Sequence, residues 1–154
     1  MRQSAWRIFK PKHAATAFTG EGARLYGGRW NTPGNPVVYT AGSVSLAALE
    51  MLVHLSSHQV LESYLVCEVR FDETVVATID AAELPADWRS DPAPLAVQRI
   101  GDEWIEAGTS AVLWVPSAIV DTEFNFLLNP AHPEFAAIAI GEPASFRFDP
   151  RLVK

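Results

Sequence analysis

The chemistry of this chain has to come from a short roster of side chains. Four histidines lie at positions 13, 54, 58 and 132, and the single cysteine is Cys67. His54 and His58 stand one helical turn apart, a spacing that can bring two imidazoles to one metal ion. No His-Glu-x-x-His pattern, third ligand or cysteine pair accompanies them, so they read as the polar flank of a helix and no metal is expected. Cys67 lies on the apolar side of an alternating stretch, the setting of a buried, inert thiol rather than a nucleophile. There is no Gly-x-Ser-x-Gly elbow, and no lysine follows a glycine run. Gly20-Glu21-Gly22 opens like a dinucleotide fingerprint, but Leu25 stands where the third glycine belongs. Serine hydrolases, P-loop enzymes and hydride-transfer folds are therefore disfavoured.

Three features remain. Glu50 lies at the edge of an apolar helical arc formed by Leu46, Leu49 and Val53, where a carboxylate costs several kcal/mol unless it is bonded or paired. It is either a boundary glutamate with its head in water or a group held for a purpose. Gly27-Gly28-Arg29-Trp30-Asn31, followed by Tyr39, sets backbone that can approach a ligand beside a guanidinium that can grip an anion. The same residues also suit a tight turn with a surface arginine and a packed tryptophan. Val115-Pro116-Ser117, followed by Asn125 and Asn129-Pro130, puts a hydroxyl at a strand end, where it either points into a cleft or caps a turn.

The elements that must position these groups follow from periodicity and punctuation. Trp6–Phe9 reads as a short strand, and residues 20–42 hold six of the nine glycines with Pro33 and Pro36, which predicts a long structured loop. Within that loop Val37–Thr40 suits a brief buried strand. Ser43 or Ser45 can cap a helix running to Leu55. Tyr64–Phe71 alternates as a half-buried strand, with Thr74–Ile79 expected as its neighbour. A second helix is expected over Pro92–Ala107, capped by Asp91 and closed by Gly108. Ala111–Val115 reads as a core strand, residues 129–133 as a turn, and Phe135–Ile140 and Ser145–Phe148 as further strands. Strands in separated groups, without regular βαβ alternation, predict an α+β fold in one domain spanning 1–154.

Composition bounds the partners. The 154 residues are 49% hydrophobic and 19% charged, enough apolar material for one compact core and too much for a disordered chain. Charged residues interrupt every apolar run well short of a membrane span, and the N-terminus carries Arg2, Arg7, Lys10 and Lys12 around no apolar block, so a soluble cytoplasmic protein is expected. Asp and Glu outnumber Lys and Arg by 18 to 12, for a net charge of −6, which argues against direct nucleic-acid binding.

The order of the motifs is their most specific property. Gly-Gly-Arg-Trp-Asn at 27–31, Val-Val-Tyr-Thr-Ala at 37–41 and Ser-Leu-Ala-x-Leu-Glu-x-Leu-Val-His-Leu at 45–55 come first. Val-Pro-Ser-Ala at 115–118 and Asn-x-Leu-Leu-Asn-Pro-x-His-Pro at 125–133 follow. Together, from Trp6 to Arg151, they resemble the RES-domain family, named for its Arg, Glu and Ser. Residues 71–104 carry little recognisable signature, and nothing is transferred there. The resemblance implies a bacterial toxin paired with an Xre-like antitoxin, a fold similar to ADP-ribosyltransferases, and NAD as substrate without a metal. It places the family's catalytic arginine on Arg29, its tyrosine on Tyr39, its glutamate on Glu50 and its serine on Ser117, and an N-terminal arginine on Arg7. All five would then bind the dinucleotide. DNA would be reached only through the antitoxin, no membrane is involved, and a homodimer inside the toxin–antitoxin complex is compatible with the sequence.

The residue chemistry fits that implication. Nicotinamide is cationic in NAD and leaves neutral, so one carboxylate suffices where ordinary glycoside cleavage uses two. Glu50 would hold the ribose and stabilise the oxocarbenium-like charge, lying within touching range of Arg29 across an open crevice. Arg29 and Arg7 would pair with the pyrophosphate, Tyr39 would stack on nicotinamide or ribose, and Ser117 would orient one end of the ligand. The acceptor of ADP-ribose, whether protein, phosphate or water, is not legible. Two other readings stay open: a module that binds NAD or ADP-ribose without cleaving it, and a pure interaction protein.

Overall fold

The computed structural model describes residues 1–154. Strand β1 (Arg2–Phe9) leads through a 3-10 turn to helix α1 (Glu21–Tyr26), strand β2 (Val38–Ala41), helix α2 (Val44–Leu52) and a single-turn helix α3 (Ser57–Val60). Strands β3 (Tyr64–Asp72) and β4 (Val76–Thr78) precede helix α4 (Leu95–Ala107), and the chain ends with β5 (Val112–Pro116), β6 (Phe124–Leu128), β7 (Ala139–Ile140) and β8 (Ala144–Phe146). One mixed sheet holds all eight strands in the order β4-β5-β6-β2-β1-β3-β7, with β8 also paired to β3. Only β4 and β5 run parallel. The architecture is α+β, as the grouping of strands predicts.

Alternation along the strands builds the core on both faces of the sheet. From β5 and β6, Val112, Phe126 and Leu128 enter one apolar cluster, while Leu113, Val115 and Leu127 enter another with Trp30, Val97 and Trp104. The second cluster seats α4. Helix α2 is seated by Leu46 and Ala47 against Ile8, Ala41 and Tyr64. Burying a leucine such as Leu46 completely is worth roughly 1.5–3 kcal/mol.

Several expectations are corrected. The glycine-rich stretch is not loop throughout, because Glu21–Tyr26 forms α1; its Glu21–Arg24 ion pair one turn apart and the positive-φ glycines at 20 and 27 start and stop it. Helix α4 begins at Leu95, not after an Asp91 cap, since the chain is still extended at Pro94, the residue before its first turn. β4 pairs with β5, not with β3, because a 3-10 turn at Glu73–Val75 carries the chain away. Phe135–Ile140 is a 3-10 turn over Pro133–Ala137 followed by a two-residue strand; Pro133 at the first helical position and the His132 side chain accepting from the Glu134 amide favour the turn. The sequence-based reading also missed β6, which sits mid-sheet between β5 and β2.

The inward arc of α2 differs too. Leu49 and Val53 are 40% and 60% exposed, whereas Leu46 and Ala47 are buried. A helix apolar almost all round offers no periodic clue to its buried side. The inward stripe is 46, 47, 50 and 51, so Glu50 stands on that stripe and not at its margin.

Candidate functional site

An open crevice of ≈ 930 Å³ runs between β1, β2, α2 and the Gly28–Trp30 turn, within the size range of small-molecule sites. Arg7, Arg29, Tyr39 and Glu50 all line it; Ser117 does not.

Glu50 reaches the crevice because Ser43 caps α2, accepting the Leu46 amide at 3.0 Å, and because Leu46 and Ala47 seat the helix. Its Oε1 accepts two hydrogen bonds, from Ser117 Oγ at 2.9 Å and from Asn125 Nδ2 at 2.8 Å. No protein donor reaches Oε2. Ser117 is wholly buried, and its Oγ also accepts the amides of Ile119 at 3.0 Å and Val120 at 3.1 Å. With both lone pairs so engaged, its one proton is directed at Glu50. In this arrangement the Ser117 proton goes to the Glu50 carboxylate, and the residue itself does not line the crevice. Asn125 plays the same part, and its Oδ1 is buried without a partner. Its place on an otherwise apolar strand, opposite Val115 and Ala41, was the available signal.

Arg29 is held differently. Its Nη1 donates to the carbonyls of Trp88 at 2.9 Å and Ser90 at 3.1 Å, leaving the rest of the fork without a protein acceptor. Tyr39 supports the same turn. Its hydroxyl donates to Asn31 Oδ1 and accepts the Trp30 amide at 3.1 Å. Burial pushes the phenol up from its ordinary range, partly opposed by the Trp30 amide, so the proton stays on to make the bond. A Cβ at Gly28 would lie 2.5 Å from that hydroxyl, which explains the glycine. Arg7 donates from Nη1 to the Tyr39 carbonyl at 3.0 Å, while its Nε is buried without a partner. Burial draws its guanidinium pKa down from the ordinary arginine value.

Glu50 and Arg29 form no ion pair with each other, and both line the same crevice. Each already spends part of its head on other partners, and the open volume they both line is where a ligand would meet them. Arg89 and the exposed His54 line the crevice as well, and sequence reasoning singled out neither for this site. Arg89 is paired with Asp121, which leaves Arg7 and Arg29, neither of them in an ion pair, as the lining cations that can meet an anion in a chain of net charge −6. No group of three or more His, Cys, Asp or Glu is placed to hold a metal ion. No helix is long and apolar enough to cross a membrane.

Comparison with known proteins is consistent in direction. The family model described as the RES domain matches residues 4–149. The chain is 43% identical over 148 residues to "Toxin Res" of Yersinia enterocolitica serotype O:8 / biotype 1B, covering 96% of this chain and 97% of that protein. It is 38% identical over 160 residues to "Prs ADP-ribosylating toxin" of Sphingobium sp. strain YBL2, covering 100% and 99%. Among solved structures, the M. tuberculosis MbcT–MbcA toxin–antitoxin complex contains a chain superposing with a TM-score of 0.76 at 18% identity, over 99% of this chain and 87% of that one. That last likeness concerns the fold.

Proposed function

The chain belongs to the RES-domain family of toxins, and on that footing we propose that it consumes NAD by breaking the nicotinamide–ribose bond and passing ADP-ribose to an acceptor. The observation that carries the reading is the two-sided crevice: a carboxylate with one oxygen pinned and one free, facing the same space as the unpaired part of an arginine fork.

The bond between the nicotinamide nitrogen and ribose C1′ breaks with its electron pair going to nicotinamide, which leaves neutral. Positive charge develops at C1′ and the ring oxygen. Glu50 Oε2 holds a ribose hydroxyl and offsets that charge, while Ser117 and Asn125 keep the carboxylate from turning away. Arg29 and Arg7 hold the pyrophosphate, and Tyr39 forms the wall against nicotinamide or ribose. An acceptor oxygen then bonds to C1′, and the proton of a water or hydroxyl acceptor passes to solvent. Water, inorganic phosphate and a protein side chain are all chemically competent acceptors. The toxin would be neutralised by an Xre-like antitoxin covering the crevice, and would meet DNA only through it.

Purified chain incubated with NAD should release nicotinamide, with Glu50→Gln suppressing release by orders of magnitude. Mass spectrometry of the products with and without phosphate and cell lysate identifies the acceptor. Intact NAD after hours, with tight binding by calorimetry, would replace the enzyme reading with that of a binding module. Growth arrest on expression, relieved by the neighbouring gene, tests the toxin role.

A further inference from the structure

Helix α4 lies behind the arginine turn, and its contacts there are of an unusual kind. Gln98, Gly101 and Asp102, spaced three and four residues apart, share one helical face. Gln98 Nε2 donates to the carbonyls of Gly28 at 3.0 Å and Asn31 at 3.2 Å, the two residues bracketing Arg29-Trp30. At Gly101 the helix backbone meets the turn so closely that a Cβ would fall 1.7 Å from the Trp30 carbonyl oxygen. Asp102 is buried; its Oδ1 accepts from the Thr32 amide and from Asn35 Nδ2, each at 3.0 Å, and its Oδ2 from the Thr32 hydroxyl at 2.7 Å. The carboxylate has no cation beside it and is satisfied wholly by this one loop.

We propose that Gln98, Gly101 and Asp102 are positioning residues for Arg29, fixing its turn from behind so that the fork enters the crevice already oriented. The geometry is selective. All three residues act on residues 28–35, and none is bonded to Glu50, Ser117 or Asn125. Loosening the clamp therefore weakens the grip on the anionic part of the ligand and leaves the bond-breaking groups in place. An interaction made equally in ground and transition states appears in KM and not in kcat. The inference rests on the proposed role of Arg29.

The test is a double-mutant cycle on the full chain, reading nicotinamide release from NAD and NAD affinity by calorimetry. Asp102→Ala should raise KM roughly tenfold with kcat within about threefold. Asp102→Asn, which keeps an acceptor for the Thr32 amide and can reorganise with the Thr32 hydroxyl, should recover most of the loss. In an Arg29→Ala background, Asp102→Ala should add no more than about twofold, because the group it positions is gone. If Asp102→Ala fails to fold, Thr32→Val and Asn35→Ala each remove one of its contacts and carry the same cycle. An unchanged KM with a collapsed kcat, or a full Asp102→Ala effect persisting without Arg29, overturns the positioning role alone. A wild-type chain that neither binds nor cleaves NAD overturns the proposed function, and this inference with it.

Discussion

The two walls of the crevice are built on opposite principles. On one wall the carboxylate head itself is tethered: Glu50 Oε1 receives side-chain donors from residues 67 and 75 positions further along the chain. On the other wall the tether is on the backbone, with Gln98 and Asp102 bonding the turn that carries Arg29. Part of the guanidinium rests on main-chain carbonyls, and the rest is left over. Damage to the first wall should therefore appear in the chemical step, and damage to the second in binding.

The sharpest break is Glu50→Gln, which keeps the shape and removes the charge; nicotinamide release should fall by about 10²–10³-fold or more with little change in KM. Ser117→Ala should lower kcat by roughly ten- to a hundredfold, since Glu50 loses one of two donors and the amides of Ile119 and Val120 lose their acceptor. Equal losses in kcat and affinity would mean that Ser117 does touch the ligand. Arg29→Lys keeps the charge and removes the fork, so NAD affinity by calorimetry should weaken about tenfold while kcat holds. The smallest effect is expected for Gly28→Ala. Its Cβ would press on the Tyr39 hydroxyl, lowering stability by about 1–3 kcal/mol in chemical denaturation and raising KM a few-fold.

Legibility from sequence divides along the same line. Ser43 and the run after it announce α2, and the alternation of Cys67, Val69 and Phe71 announces β3, because caps and periods are local signals. The register of Glu50 on α2 was not readable, since apolar residues surround it and only the sheet beneath decides which face is buried. Strand β6 escaped notice because five residues flanked by Asn-Pro resemble the approach to a turn, and only pairing with β5 and β2 makes them a central strand. Arg29, Tyr39, Glu50 and Ser117 could be singled out, but the job of Ser117 could not, as a serine at a strand end looks alike whether it faces a cavity or a carboxylate. The clamp on Arg29 lies in the stretch between residues 71 and 104 that carries little motif. Gln98 and Asp102 look like ordinary polar positions of an amphipathic helix until Thr32 and Asn35 are brought beside them.

The long reach of these tethers has a consequence for synthesis. Arg29 and Glu50 both precede in the chain the side chains that bond the carboxylate or the arginine turn, Gln98, Asp102, Ser117 and, last, Asn125 on β6. A ribosome partway through the message would carry the warhead without its sights. The arrangement around Glu50 is complete only once β6 has been made and has paired with β2 and β5.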